Sequence, residues 1–124
     1  MNNKGEDLKI RTTQFSLRVI RLCEALPSKP AAKVIGNQLL RSATSVGANY
    51  RAVCRARSDA DFISKMAIVL EEADESTYWL EILVESGLMP QQKLADLIAE
   101  AEELVAIFAA SKITASRRRH DSEA

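Results

Sequence analysis

The 124-residue chain contains few side chains of the types that perform catalysis or hold metals. Its single histidine, His120, lies in a polar C-terminal tail, so no serine or cysteine of the helical region has a histidine base. Cys23 and Cys54 form neither a Cys-x-x-Cys pair nor a zinc-binding spacing with His120. Gly36 and Gly47 are eleven residues apart within a helical pattern and form no phosphate-binding loop. We therefore expect a protein that is not an enzyme.

A metal site built from carboxylates is the remaining chemical possibility. Glu71, Glu72 and Glu75 are close enough in sequence to hold a hard cation, but the paired Glu-x-x-His motifs of di-iron bundles are absent. A solvated or ion-paired acidic surface explains these carboxylates without a ligand, and it is the interpretation that we favour. No metal and no organic cofactor is expected.

The spacing of apolar residues predicts four amphipathic helices with short connections. Pro30 suits the first residue of the second helix, and Ser58 with Asp61 resembles a capping box before the third. Gly87 marks the end of the third helix, and Pro90 begins the fourth. The predicted core stripes are Phe15, Val19, Leu22 and Leu26; Ile35, Leu39, Ala43, Val46, Tyr50 and Val53; Phe62, Met66, Leu70, Ala73, Thr77, Leu80 and Val84; and Leu94, Leu97, Ile98, Ala101, Leu104, Val105 and Phe108.

These elements predict an all-α protein, an antiparallel up-down-up-down four-helix bundle. We expect one domain over residues 10–115, with flexible ends at 1–9 and 116–124. The polar start has no apolar run of a signal peptide, and no stretch approaches the roughly 18 uninterrupted apolar residues of a membrane helix. The expected location is the cytoplasm, with no membrane partner.

Charge is divided between the two halves of the chain, although 17 basic residues balance 17 acidic ones overall. Residues 1–65 carry twelve Lys or Arg against five Asp or Glu, whereas residues 66–112 carry two against ten. A helical wheel places basic side chains on the outer face of the second helix, and one more follows its end. This candidate nucleic-acid-binding set is Lys33, Arg41, Arg51, Arg55 and Arg57.

The third helix carries apolar residues on the side that the wheel places opposite its core stripe. The residues on that side are the apolar Ile68, Trp79 and Ile82, with the carboxylates Glu72 and Glu75 between them. Scattered surface hydrophobes are one explanation. A subunit interface is the other, because Trp is a favoured anchor at interfaces and the carboxylates would meet arginines of a neighbour's second helix. Such a contact joins different faces of two copies, so it closes into a ring.

The run from Gly36 to Leu83 resembles the four helix bundle protein family, also called the S23 or 23S rRNA intervening-sequence protein family. The resemblance extends over roughly residues 10–112, and the pieces that carry it are Leu40-Arg41-Ser42 with Ser45, Gly47-Ala48-Asn49, Ser58 with Asp61-Phe62, and Glu72-Ala73 with Tyr78-Trp79-Leu80. It implies a bacterial, cytosolic bundle with no catalytic residues to transfer. Many members have an acidic residue shortly after the Asn, whereas this chain has Arg51 in that region.

The related accessory variability determinant proteins of diversity-generating retroelements add an expected assembly and expected partners. Through them, the resemblance implies a homo-oligomer that is a pentameric ring, with RNA or DNA and a reverse transcriptase as partners. Two functions therefore stay open. One is a nucleic-acid-associated accessory ring, and the other is a structural or protein-interaction ring whose basic and acidic faces pair between subunits.

Overall fold

The computed structural model describes residues 4–123 and contains four α-helices in that range. They are α1 (Lys4–Glu24), α2 (Pro30–Val53), α3 (Asp59–Glu85) and α4 (Gln91–Glu123). Each helix packs against the next one in the chain, and α1 also contacts α4. The predicted all-α four-helix bundle is confirmed. No helix within these residues combines the length and the apolar character that crossing a membrane requires.

The contacts between α1 and α2 show that these helices are antiparallel. The hydroxyl of Ser16 donates to the carbonyl of Ala43 at 3.3 Å, and Sγ of Cys23 donates to the carbonyl of Gly36 at 3.4 Å. Contacts therefore move toward the start of α2 as they move toward the end of α1. Helices α3 and α4 are antiparallel as well, since Asp59 at the start of α3 bonds Arg118 near the end of α4.

Most local signals at the helix ends operate as predicted, but α4 begins at Gln91, one residue after Pro90. Pro30 is the first residue of α2, where its missing N–H leaves no hydrogen bond unmade. The Ser58 hydroxyl accepts a hydrogen bond from the backbone N–H of Asp61 at 3.0 Å, and the Asp61 carboxylate accepts one from the N–H of Arg57 at 3.2 Å. Gly87 has a φ of 78°, the left-handed conformation that suits glycine after a helix.

The predicted domain limits, 10 and 115, are too narrow at both ends. Leu8 is 4% exposed and belongs to the core, so α1 contributes packing before residue 10. Helix α4 continues to Glu123, and in its last part Arg118 bonds Asp59 at the start of α3 through Nε and Nη2, at 2.9 and 2.7 Å. Residues 1–3 and 124 of the predicted flexible ends lie outside the described residues.

The core stripe of α3 differs from the predicted one by a small rotation of the helix. The half-buried positions include Leu70, Thr77 and Val84, which the sequence analysis placed at the centre. Since α3 packs against both α2 and α4, its buried stripe is broad, and either of two adjacent rows fits a helical period. The buried positions are Met66, Val69, Ala73, Ser76, Leu80 and Leu83.

Candidate functional site

Arg41 of α2 connects two carboxylates of α3 within the same chain. Its Nη1 lies 3.4 Å from Glu72 Oε2, and its Nη2 bonds Oε2 of Glu75. The same Glu75 oxygen accepts a hydrogen bond from Nε1 of Trp79 at 2.9 Å. The bonds from Trp79 and Arg41 lower the pKa of Glu75, and the bond to Glu75 raises the pKa of Arg41. These four residues form one network along the seam between α2 and α3.

This network corrects the helical-wheel placement of the third-helix set. Glu72, Glu75, Trp79 and Ile82 are partly buried, and only Ile68 of the set is exposed, at 46%. The wheel is wrong for Glu72, Glu75 and Trp79 because the core stripe is rotated toward them. Their contact with arginines of a neighbouring subunit stays a prediction, and Arg41 of the same chain already contacts both carboxylates.

The rest of the basic set remains on the surface. Lys33, Arg51, Arg55 and Arg57 are all exposed. Across residues 4–123, the side chains of Lys33, Arg51 and Arg55 form no ion pair and no hydrogen bond. Within these residues of the subunit, Arg41 is therefore paired, whereas Lys33, Arg51 and Arg55 are not.

Arg51 and Arg55 border a groove between α1 and α2. Its lining is completed by Cys54 and, on α1, by Glu6, Lys9, Ile10, Thr13 and Gln14. The groove thus combines three cationic side chains and one carboxylate with polar side chains and the exposed Ile10. Sequence reasoning placed the arginines on an outer face but did not identify the α1 residues beside them.

An exposed apolar stripe follows the outer side of α1. It consists of Ile10, Leu17 and Ile20, which are 59%, 40% and 37% exposed. The sequence analysis missed this stripe because it followed only the residues that α1 buries. The available signal was the spacing of seven and ten residues from Ile10, which keeps all three on one side of a helix. We call these residues the α1 stripe.

The outer side of α3 is acidic and partly apolar. Its exposed residues between Ile68 and Glu85 include Tyr78, 53% exposed, whose ring lies 4.9 Å from that of Trp79. No ion pair involves the exposed carboxylates of this side within the described part of the chain. We define the acidic α3 face as Ile68, Glu71, Asp74, Tyr78 and Glu81.

A cleft of about 870 Å³ opens at the end of the bundle where α1 and α3 begin. Its wall contains Tyr50, whose ring stacks on Phe108 with centroids 5.8 Å apart. Burial raises the pKa of the Tyr50 hydroxyl. In the range 4–123, no three His, Cys, Asp or Glu side chains are grouped as metal ligands. The exposed charged surfaces of α1, α2 and α3 form the candidate functional site.

The comparisons with known proteins agree with the four-helix fold. Residues 6–110 match the model of the family described as 23S rRNA-intervening sequence protein. A crystal structure from Bacteroides thetaiotaomicron, a protein of unknown function from the S23 ribosomal protein family, shares 32% sequence identity and a TM-score of 0.80. That match covers 88% of this chain and 97% of the other. No curated protein matches the chain. The chain belongs to the 23S rRNA-intervening sequence protein family.

Proposed function

We propose that the chain is a non-enzymatic assembly protein, a four-helix bundle that forms a closed ring of identical subunits. The observation that carries this proposal is the pair of exposed, oppositely charged surfaces, one on the α1–α2 side and one on α3. Both include large apolar side chains that the fold leaves in contact with solvent, among them Ile10 and Tyr78. Exposed apolar residues beside unpaired charges are typical of protein interaction surfaces.

The two surfaces lie on different helices, which favours a ring over a twofold dimer. A contact between unlike surfaces is heterologous, and it repeats from copy to copy until the rotation closes. The family resemblance supports five copies. A ring would place the same charged surfaces at regular intervals around one particle.

Light scattering coupled to size exclusion tests the ring directly. The subunit has a mass of 13.7 kDa, so five times 13.7 kDa, about 68 kDa, is the expected particle. High salt should weaken the assembly, because salt screens exposed charges. A particle of one subunit mass at low salt and high protein concentration would contradict the proposal.

Nucleic-acid binding by the ring is the second candidate function. Arg51 and Arg55 favour it, because they are exposed, carry no intrachain partner and border a groove with the polar side chains of Thr13 and Gln14. Arginine side chains bind phosphate groups, and neutralising phosphates makes affinity fall steeply with salt. A ring would repeat this patch, so several weak phosphate contacts would act together.

Titration of labelled RNA and DNA at two salt concentrations tests the second candidate. Arg51→Glu, Arg55→Glu should lose binding, while the matched control Lys93→Glu, Lys112→Glu changes the same charge on the other half of the bundle. Both variants are checked for assembly by light scattering. If the wild type does not bind at low salt, or both variants bind equally, the basic side of α2 serves assembly and not nucleic acid.

A further inference from the structure

We infer that the α1 stripe with Arg51 and Arg55 on one copy docks on the acidic α3 face of a second copy. This inference rests on the proposed ring and names the two surfaces that would form it. It differs from the expectation based on the helical wheel, which assigned the contact to Glu72, Glu75 and Trp79. Those three residues are already bonded or packed along the seam between α2 and α3.

The apolar parts of the two surfaces have the same length. Ile10 and Ile20 are ten residues apart on α1, and Ile68 and Tyr78 are ten residues apart on α3. At 1.5 Å of rise per residue, each pair spans about 15 Å along its helix. Two helices laid along each other could therefore cover the exposed apolar side chains at both ends of the contact. Leu17 would lie between Ile10 and Ile20 in this contact.

The charges beside the apolar residues are complementary and unused within the subunit. Arg51 and Arg55 line the groove with Ile10, where the neighbouring Lys9 and Glu6 pair with each other at 3.9 Å. Glu71 and Glu81 flank Ile68 and Tyr78, since each is three residues further along α3. Burial of the apolar side chains supplies the attraction, while charges of opposite sign select the orientation.

The contact would use the arginines that the nucleic-acid candidate also requires. Arg51 and Arg55 would then be covered in the assembled ring and unavailable to phosphates. Arg41 would not change its role, because its partners Glu72 and Glu75 belong to the same chain. Assembly through this contact and phosphate binding at Arg51 and Arg55 therefore exclude each other.

Charge reversal on each surface, alone and combined, tests the inference. Arg51→Glu, Arg55→Glu should convert the oligomer to monomer, because acidic groups would face the acidic α3 face. Glu71→Lys, Glu81→Lys should do the same from the other side. The variant with all four changes should regain the wild-type mass, because every contact of a heterologous ring then again joins opposite charges.

Two further variants separate this contact from general effects of charge or folding. Lys93→Glu with Glu102→Lys reverses exposed charges of α4, outside both surfaces, and should leave the mass unchanged. Leu17→Ser removes an exposed apolar side chain from the α1 stripe and should weaken assembly without a loss of helicity by circular dichroism.

The outcomes distinguish this inference from the proposed ring. A monomeric wild type would overturn the ring and the inference together. An oligomeric wild type whose mass neither single-surface reversal changes would overturn the inference alone and leave the ring standing. Dissociation by each reversal without recovery in the four-residue variant would also overturn it, because the two surfaces would then have other partners.

Discussion

The hydroxyl oxygens of Ser42 on α2 and Ser76 on α3 lie 2.9 Å apart, and both residues are fully buried. Each hydroxyl also has a backbone carbonyl within reach, that of Leu39 at 3.2 Å for Ser42 and that of Glu72 at 2.9 Å for Ser76. Because a hydroxyl has a single proton, one serine donates to the other, and the accepting serine donates its own proton to its carbonyl. This contact fixes the register of α2 against α3 next to the network of Arg41, since Ser42 follows Arg41 and Ser76 follows Glu75 in the sequence.

Replacement of Ser42 by alanine should lower the free energy of unfolding by about 1 kcal/mol, the usual net value of one buried hydrogen bond. Ser76→Ala should cost a similar amount. The double variant should cost clearly less than the sum, because no buried hydroxyl is then left without its partner. Urea unfolding of the four proteins measures the coupling, and strictly additive losses would show that the two hydroxyls do not interact.

Much of the fold was accessible from the sequence because helix-forming patterns are local. Pro30, Ser58 and Gly87 act on their own helix ends, and one residue type at one place is enough to recognise each. The contact between Ser42 and Ser76 was not predictable in the same way, because nothing in the α3 sequence alone says which serine meets α2.

The candidate surfaces could be predicted from the sequence only in part, because packing between helices decides which positions are buried. A helical wheel ranks positions around one axis, but it does not give the number of neighbours that bury the helix. Helix α3 has two such neighbours, so Glu75 and Trp79 lie at a seam and not opposite the core. The pairing of Arg41 with Glu75 joins residues 34 positions apart, and only the packing of α2 on α3 determines it.

Gly47 offers a test of how closely α1 and α2 approach. A Cβ atom added there would lie 3.5 Å from the backbone oxygen of Thr12, an ordinary van der Waals distance. Gly47→Ala should therefore raise the free energy of unfolding by about 0.5–1 kcal/mol, since alanine loses less backbone entropy in a helix. Thermal unfolding followed by circular dichroism measures the change.

Gly36 is the matched control for that substitution. A Cβ added at Gly36 would lie 2.8 Å from Cδ1 of Leu26, so Leu26 must move before alanine fits. We expect Gly36→Ala to gain less stability than Gly47→Ala, or to lose some. If both alanines gave the same gain, the contact of Gly36 with Leu26 would not decide the outcome.

The bond between Arg118 and Asp59 should hold the last turns of α4 in place. Arg118→Gln removes the charge and the paired donors, so backbone amides of residues 116–123 should exchange with deuterium several-fold faster. The core helices should keep their protection, because these amides open by local fraying. Arg117→Gln is the control, since Arg117 is exposed and lies one position earlier in the same helix. Equal exchange in both variants would show that the bond does not order α4.

Glu75 should make the stability of the bundle depend on pH in the acid range. Its pKa is lowered below the usual 4.5 in the folded chain, by the Trp79 hydrogen bond first and then by Arg41, so the unfolded chain takes up its proton more readily. The stabilisation is complete above about pH 4.5 and is lost as the pH falls through the lowered value.

Glu75→Gln keeps an oxygen for Trp79 but not the charge for Arg41. This variant should therefore be less stable at pH 7 and less sensitive to acid. Urea unfolding at pH 7, 4 and 3, followed by the fluorescence of Trp79, measures both effects. Glu71→Gln, with no partner in the described residues, should follow the wild type, and a parallel loss in all three proteins would assign the acid sensitivity to other groups.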